Sequence, residues 1–175
     1  ETPNLSASAI RWEFSDLDDA ELGYVTSPVE VGVLPNGTWV AIFGNGTFSS
    51  GGKAVLFVLN LESGAAQKLT VDSSGSNGLS GVTARRNSMG QIIALYAGDL
   101  KGRLWKFEYD AGAASGFRIG NALAPLFAAT NAALTTPQPI TQPPVLYNHS
   151  RGGGPLVVFG TGLLQTTIDA NSTAT

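Results

Sequence analysis

Residues 92–110, which read IIALYAGDLKGRLWKFEYD, predict a β-hairpin that constrains the fold more than any other segment. An apolar run at 92–96 enters a short polar loop at 98–102, after which apolar and charged residues alternate. The first strand is apolar at nearly every position, which is typical of a strand covered on both faces, while the second is apolar mainly on one face. The hairpin therefore favours a layered β protein.

The same pattern recurs at two other places in the chain. Apolar strands end in glycine at Gly44, Gly98 and Gly160, and a polar turn and a second strand follow each of them. These glycines lie about 54 and about 62 positions apart, near or slightly above the usual length of a β-propeller blade. The sequence thus predicts an all-β fold, a partial and modified β-propeller of about three blades built from antiparallel hairpins. A sandwich or barrel of hairpins is the alternative.

We expect one propeller-like fragment over residues 1–175, with blade units near 8–72, 73–116 and 117–170. A four-stranded blade is apolar on both faces and must stack on its neighbours to bury them. Three blades cannot close a ring. The chain is therefore expected to be an excerpt of a longer one, or to cover its exposed blade faces by self-association.

Several weaker segments complete this prediction. The alternation of Ile10, Trp12 and Phe14 with charged residues predicts a further strand, which ends at an acidic turn. The last hairpin joins 145–147 to 156–159. The remaining segments are an ambiguous strand or turn at 81–89, an alanine-rich helical turn within 122–134, a proline-rich connector at 136–144, and a final strand from Leu163 to about Ile168.

Composition limits the classes of function. The chain is 43% hydrophobic and 13% charged, enough to build a substantial core. Ten scattered basic residues and a net charge of −3 argue against a nucleic-acid partner. Apolar runs such as 54–59 are too short for a bilayer helix, and the absence of cysteine excludes disulfides and thiolate chemistry. No signal peptide is visible at Glu1, which fits a mature chain or an excised fragment.

The acidic turn at 13–21 is the candidate metal site. Its carboxylates Asp16, Asp18, Asp19 and Glu21 are of the type that calcium prefers. The turn lacks the central glycine and terminal glutamate of an EF-hand loop, and Asp and Ser readily cap turns. We therefore favour a capping role, while calcium binding by this turn stays open.

Candidate catalytic motifs are weak. His149, the one histidine, lies beside a glycine-rich turn, and the Gly44-x-Gly46 and Gly160-x-Gly162 pairs precede no convincing helix. No G-x-S-x-G, H-E-x-x-H or P-loop pattern is present, although distant carboxylate pairs stay possible. Five Asn-x-Ser/Thr triplets, at Asn4, Asn36, Asn45, Asn148 and Asn171, are of the kind that chance produces in this composition. We predict no catalytic, cofactor-binding or metal-binding residues and no enzyme activity.

A series of motifs carries a family resemblance over nearly the whole chain. In order they are WEFSD at 12–16, LGY at 22–24, SP at 27–28, FGNG at 43–46, GKAVLF at 52–57, YAGDLKGRLWKF at 96–107, QPIT at 138–141 and FGTG at 159–162. With these motifs the chain resembles the C-terminal propeller of the PilY/PilC proteins, which are tip-associated adhesins and biogenesis factors of bacterial type IV pili. The resemblance implies export to the cell surface, at the pilus tip or outer membrane. It also implies minor pilins or other tip proteins as partners, a host-surface receptor as a further one, and roles in pilus extension, adhesion and twitching motility.

One loop departs from the family pattern. The family commonly carries an Asp-rich calcium loop just before the strand that reads YAGD. Here residues 84–91 read ARRNSMGQ, with two arginines and no carboxylate, so we expect no calcium site there.

Two alternatives stay open besides this resemblance. One is a quinoprotein-type dehydrogenase, whose propeller repeats also mix Gly, Asp and Trp, although a vicinal cysteine pair is absent. The other is a scaffold propeller of a different envelope assembly. Under any of these interpretations, we expect Trp105 to lie in the core.

Overall fold

The computed structural model describes residues 10–150 and 152–164, and in this part the chain forms three antiparallel sheets. The first sheet contains β1 (Glu30–Val33), β2 (Trp39–Gly44), β3 (Ala54–Asn60) and β4 (Ala66–Asp72), paired in chain order. The second contains β5 (Leu79–Arg86), β6 (Ile92–Asp99), β7 (Arg103–Tyr109) and β8 (Phe117–Ile119), with β9 (Phe127–Ala128) also paired to β7. The third is the hairpin of β10 (Val145–Asn148) and β11 (Pro155–Val158). The predicted all-β fold of antiparallel hairpins is confirmed.

The hairpin of β6 and β7 lies in the middle layer of the stack. Seven of the eight β6 residues are buried, as its apolar sequence predicts. On β7, Trp105 and Phe107 pack in the core between the first and second sheets. Leu104, on the opposite face, packs with Ala129 and Ile140 toward the third sheet. Neighbours on both faces explain why Leu104 breaks the alternation of apolar and charged residues.

The order of contacts between sheets follows a propeller. The largest core cluster draws Ile42 and Leu56 from the first sheet against Leu95 and Phe107 from the second. Between the sheets, β5 contacts β2 most extensively and also contacts β1, β3 and β10, while the last strands β4 and β8 meet. Sheets that stack face to face in this way are typical of blades repeated about an axis.

The strand predicted at Ile10, Trp12 and Phe14 is wrong, because residues 10–14 form no strand in the structure. This segment lies instead across the outer face of the first sheet. The Phe14 ring packs edge-on against Phe57 with their centroids 5.4 Å apart, and Trp12 Nε1 donates a hydrogen bond of 3.1 Å to the Leu61 carbonyl. The period-two pattern thus reports side chains that cover a sheet, not a strand within one.

The ambiguous segment at 81–89 is mostly strand. β5 continues through Arg86, which pairs with Ile92 on β6. The guanidinium of Arg86 also pairs with the Glu30 carboxylate on β1, with Nη2 and Oε2 3.0 Å apart. The alanine-rich segment 122–134 forms no α-helix in the structure. A 3-10 turn at Asn121–Leu123, with positive φ at all three residues, precedes the short strand β9.

In the C-terminal part of the chain, one prediction is confirmed and others are not. The connector at 136–144 is confirmed as irregular chain, although Ile140 within it is fully buried. The final strand predicted from Leu163 to Ile168 lies mostly outside the described residues. β8 and β9 belong to the second sheet, which therefore extends beyond the predicted unit boundary at residue 116. The third unit, 117–170, stays a prediction.

One face of the third sheet is exposed. Val145 pairs with Val158, and Tyr147 pairs with Leu156, so these four side chains share a face. Each of them is about half exposed, from 49% for Leu156 to 59% for Tyr147. We call these four residues the open face. The opposite face of the hairpin contacts the rest of the protein through Val157.

The repeat glycines differ in how closely they are packed. A Cβ on Gly44 would overlap the backbone carbonyls of Leu79 and Ser80, whereas a Cβ on Gly160 would meet open space. We expect Gly44→Ala to lower the free energy of unfolding by about 1–3 kcal/mol. Gly160→Ala is the matched control and should change it by less than about 0.5 kcal/mol. Urea denaturation of both variants measures the difference, and equal midpoints would contradict the packing argument.

Candidate functional site

Asn45, which follows the glycine that ends β2, is the hydrogen-bonding centre of the first repeat turn. Its side chain is fully buried. The Oδ1 atom accepts hydrogen bonds from the backbone N–H groups of Val55 and Leu79, at 3.0 and 2.9 Å. The Nδ2 atom donates to the carbonyls of Glu21 and Lys53, at 2.8 and 2.9 Å. One carboxamide therefore joins β3, β5 and the segment before β1, which is a structural role.

Asp99 occupies the corresponding position in the second repeat and is also fully buried. Its Oδ1 accepts hydrogen bonds from the backbone N–H groups of Lys101 and Arg103, both at 2.9 Å. Its Oδ2 accepts from Arg103 Nε at 2.8 Å, Trp105 Nε1 at 2.9 Å and Asn77 Nδ2 at 3.1 Å. Five donors saturate the carboxylate, so it is placed to hold the turn.

Asp72, at the end of β4, is a second carboxylate beside Arg103, and it also pairs with Lys101. Its Oδ2 lies 2.7 Å from Arg103 Nη2 and 3.1 Å from Lys101 Nζ. Burial opposes ionisation of Asp72, but hydrogen bonds from Ser74, Asn77, Arg103 and Lys101 outweigh it and hold its pKa well below the ordinary value. The arrangement is an ion-pair network that joins the first sheet to the turn after β6.

The lowered pKa of Asp72 predicts an acid-labile contribution to stability. A carboxylate whose pKa is depressed by folding stabilises the native state above its unfolded pKa, and this contribution is lost as the pH falls toward the native pKa. For Asp72 the loss begins near its ordinary value of 3.8 and continues below it. We expect Asp72→Asn to be less stable at neutral pH and to lose less stability than the parent between about pH 4 and pH 2. Urea unfolding across this range measures both slopes, and parallel curves would contradict the prediction.

The carboxylates of the acidic turn are divided among separate partners. Asp19 pairs with Lys68 at 2.7 Å, and hydrogen bonding to Lys68 and the Glu21 N–H lowers its pKa despite the opposing effect of burial. Glu21 pairs with Lys53, and Asp18 accepts hydrogen bonds within the turn itself. Within residues 10–150 and 152–164, no group of three or more His, Cys, Asp or Glu side chains is placed to hold a metal ion. The geometry supports the interpretation as turn capping and ion pairing.

The loop at 84–91 is organised by Asn87. Its Oδ1 accepts hydrogen bonds from the backbone N–H groups of Met89 and Gln91, both at 3.0 Å, and its Nδ2 donates to Gln91 Oε1 at 2.8 Å. The carboxylate that approaches this loop, Glu30 on β1, pairs with Arg86. The sequence alone did not point to Glu30, because it lies more than 50 residues away in the chain.

We expect a calorimetric titration with Ca²⁺ to show no binding at this loop, because the Glu30 carboxylate beside it is already paired with Arg86 and an arginine would repel the cation. The same titration on Asn87→Ala is the control. Tight binding that this substitution abolishes would contradict the prediction.

The other sequence candidates lie in turns. The carbonyl of His149, between β10 and β11, accepts a hydrogen bond of 3.1 Å from the Gly152 N–H. Gly46 has a φ of +71°, and a Cβ there would overlap the Tyr24 carbonyl, so a close approach of two chain segments requires this glycine. The Gly162 N–H donates to the Pro139 carbonyl at 2.7 Å. Neither glycine pair opens a helix in the described part of the chain.

Two adjoining clefts at the ends of β2 and β5 were not predicted from the sequence. The first has a volume of about 400 Å³ and the second about 440 Å³, and both are lined by Thr47 and Phe48. Tyr24 and Phe48 stand at the first cleft with their rings edge to face, centroids 6.1 Å apart, and are 70% and 65% exposed. We call the two clefts together the aromatic groove. Its walls come from segments that are far apart in the sequence, so no local sequence motif predicts them.

No helix in residues 10–150 and 152–164 has the length and apolar character needed to cross a bilayer.

Comparison with known proteins gives a consistent match. Residues 15–175 match the family model described as the PilY1 beta-propeller domain. The chain is 36% identical over 181 residues to the type IV pilus biogenesis factor PilY1 of Pseudomonas aeruginosa strain PAO1, covering 92% of this chain and 16% of that protein. It is 33% identical over 162 residues to a PilY1 homolog of Xylella fastidiosa, covering 92% of this chain and 13% of the relative.

A solved structure agrees with these sequence matches. The crystal structure of the Pseudomonas aeruginosa PilY1 C-terminal domain superposes with a TM-score of 0.84 at 35% identity, covering 93% of this chain and 37% of that one. Together with the stacked sheets, this match confirms the predicted fold class, a partial β-propeller. The chain spans about a sixth or less of the length of these curated relatives.

Proposed function

The chain belongs to the PilY1 β-propeller family, as its motifs predicted, and from this membership we propose that it acts in type IV pilus biogenesis at the bacterial cell surface. The observation that carries the proposal is the likeness to PilY1 over nearly the whole chain in both sequence and structure. The finer roles that we propose are adhesion and support of twitching motility, with minor pilins or other pilus-tip proteins as partners.

We further propose that the chain acts by binding and not by catalysis. The carboxylates of Asp72 and Asp99 pair with Lys101 and Arg103, and the polar centre at Asn45 is engaged with backbone groups. These groups hold the sheets together, so they support a scaffold. Absorbance spectra with added quinone and calcium should equal the sum of the separate components, and a new band would favour the quinoprotein alternative.

The open face supports a role within a larger propeller. The chain covers 37% of the solved PilY1 C-terminal domain chain, and an apolar strand pair that is half exposed is typical of a surface that another layer covers. We propose that further sheets of a longer chain, or a second copy of this one, cover the open face.

Domain exchange in Pseudomonas aeruginosa PAO1 tests the proposed function. The region of PilY1 that matches this chain would be replaced by residues 1–175 in a strain that lacks its own PilY1. We expect surface pili and twitching zones close to those of the parent strain. A control chimera that carries Asp99→Ala should lose both, because the ion-pair network around the buried Asp99 holds the domain together.

Absence of surface pili would contradict the proposal if immunoblotting shows that the parent chimera is exported and resists proteolysis. Affinity capture with purified minor pilins then tests the partner. Capture by the parent chimera and not by the Asp99→Ala chimera is the expected result, and equal capture by both would contradict a folded interface.

A further inference from the structure

We propose that the aromatic groove binds a neutral oligosaccharide, with the rings of Tyr24 and Phe48 stacking on sugar faces. This inference goes beyond the proposed role in pilus biogenesis, because it concerns the binding chemistry of one surface and is tested on the purified chain alone. Four properties of the groove support it: the exposure of the two rings, the rigidity of the walls, the charge of the lining, and the state of the backbone around it.

The aromatic side chains of Tyr24 and Phe48 are exposed in the groove. Tyr24 and Phe48 are more than half exposed, yet they lie beside the buried ring of Phe43 in the same cleft. Phe48 also has a φ of +60°, a conformation that is rare and costly for a bulky residue. Strained residues persist where the surrounding structure imposes them and are concentrated at binding sites. A strained backbone and an exposed aromatic ring thus coincide at Phe48.

The walls of the groove are rigid. The backbone groups of Tyr24 and Thr47 exchange two hydrogen bonds, 2.7 and 3.2 Å long, and the Gly46 N–H donates to the Leu79 carbonyl at 2.9 Å. A Cβ on Gly46 or Gly81 would overlap neighbouring groups, so the segments that form the walls approach one another as closely as glycine allows. A preformed site of this kind binds with a small loss of conformational entropy.

The lining of the groove is neutral. The two clefts contain no Asp, Glu, Lys or Arg side chain among the described residues, although charged networks lie nearby. Hydroxyl and amide groups take their place at Thr26, Ser27 and Gln142, whose side chains make no hydrogen bond to any other described residue. A charged ligand would lose hydration here without gaining an opposite charge, whereas a sugar hydroxyl gains a partner of its own kind.

The aromatic rings complement a sugar face. The face of an aromatic ring carries partial negative charge, and the C–H groups on one face of a pyranose carry partial positive charge. Tyr24 and Phe48 supply these ring faces, and the surrounding hydroxyl and amide groups reach the sugar edge. Because the two clefts meet at Thr47 and Phe48, the groove suits a chain of several sugar units and not a single one.

A peptide is the less suitable occupant. Peptides add to sheets through unpaired strand edges, but Gly23, Tyr24, Gly46 and Thr47 already use their N–H groups in hydrogen bonds within the protein. Recognition at this surface must therefore use side chains. A proline-rich peptide that docks on the two rings is the remaining peptide alternative, so such a peptide serves as a competitor in the test.

The test uses the purified chain of 175 residues and saturation-transfer NMR. The probes are cellotetraose, maltotetraose and the tetramer of N-acetylglucosamine, with sialyllactose and a sulfated tetrasaccharide as anionic comparators and a proline-rich peptide as competitor. We expect at least one neutral tetrasaccharide to bind, the anionic sugars to bind more weakly, and the peptide not to displace the bound sugar. Tyr24→Ala and Phe48→Ala should each weaken binding by about 3- to 10-fold.

Trp39→Ala is the matched control, because Trp39 is 58% exposed at the opposite end of β2 and lies outside the groove. It should leave the affinity unchanged. Melting temperatures of all three variants verify that they fold, and if Phe48→Ala does not, Tyr24→Ala decides. The proposal is overturned if no neutral sugar binds with a Kd below about 10 mM or if both groove variants bind like the parent. Displacement of the bound sugar by the peptide would contradict the choice of a sugar over a peptide.

Discussion

Replacement of Asp99 by Ala is expected to lower the free energy of unfolding by about 3–5 kcal/mol. The carboxylate is fully buried and accepts five hydrogen bonds. Its removal leaves the Trp105 indole N–H without an acceptor, whereas the Asn77 and Arg103 side chains keep only their contacts with Asp72. Buried donors without partners lose hydration that nothing replaces. Guanidinium chloride denaturation at neutral pH measures the change.

Two further variants serve as comparisons for Asp99→Ala. Asp99→Asn keeps the shape but turns an amide N–H₂ toward donors, so we expect a loss between that of Asp99→Ala and zero. Asp110→Ala is the exposed control, because the Asp110 side chain is 40% exposed, and it should cost about 0–1 kcal/mol. If Asp99→Ala unfolds with the same midpoint as Asp110→Ala, the turn does not depend on its buried charge.

Replacement of Trp105 by Ala is expected to cost about 3–5 kcal/mol. The Trp105 side chain is 3% exposed in the core between the first and second sheets, and the Arg103 guanidinium lies 5.2 Å from its ring centroid. Loss of the indole leaves a cavity that the two packed sheets cannot close fully. Thermal and denaturant unfolding report the loss, and Trp39→Ala, at an exposed site, should change stability by less than about 1 kcal/mol. An unchanged melting temperature of Trp105→Ala would contradict its place in the core.

The two substitutions are not independent. Trp105 Nε1 donates to Asp99 Oδ2, so either single variant already breaks the hydrogen bond between them. The double variant is therefore expected to lose less stability than the two single losses added together. A double-mutant cycle measures this coupling, and strict additivity would show that the hydrogen bond contributes nothing.

Regular alternation and turn chemistry made the hairpins predictable from the sequence. The apolar run of β6, the glycine turn at 98–102 and the pairing of 145–147 with 156–159 all follow from local residue types. The repeat glycines also predicted that the sheets are related. The same rule failed at Trp12 and Phe14, because alternation records which side chains are buried and does not distinguish a strand from a segment that lies across a sheet.

The candidate site was harder to predict, because its residues meet through the stacking of sheets. Glu30 approaches the loop at 84–91 from another sheet, and Tyr24 reaches Phe48 through backbone pairing between two loops. The backbone of Phe48 has a positive φ that its residue type does not predict. Loops placed by a scaffold carry binding residues without local periodicity, and one sequence alone does not reveal which loops converge.

The side chains of Trp12 and Phe14 make the two ends of the stack of sheets different. They seal the outer face of the first sheet, while the open face of β10 and β11 lies at the other end of the stack. A further sheet could therefore pack on the open face as it stands, whereas a sheet that packed on the outer face of the first sheet would have to displace both aromatic rings.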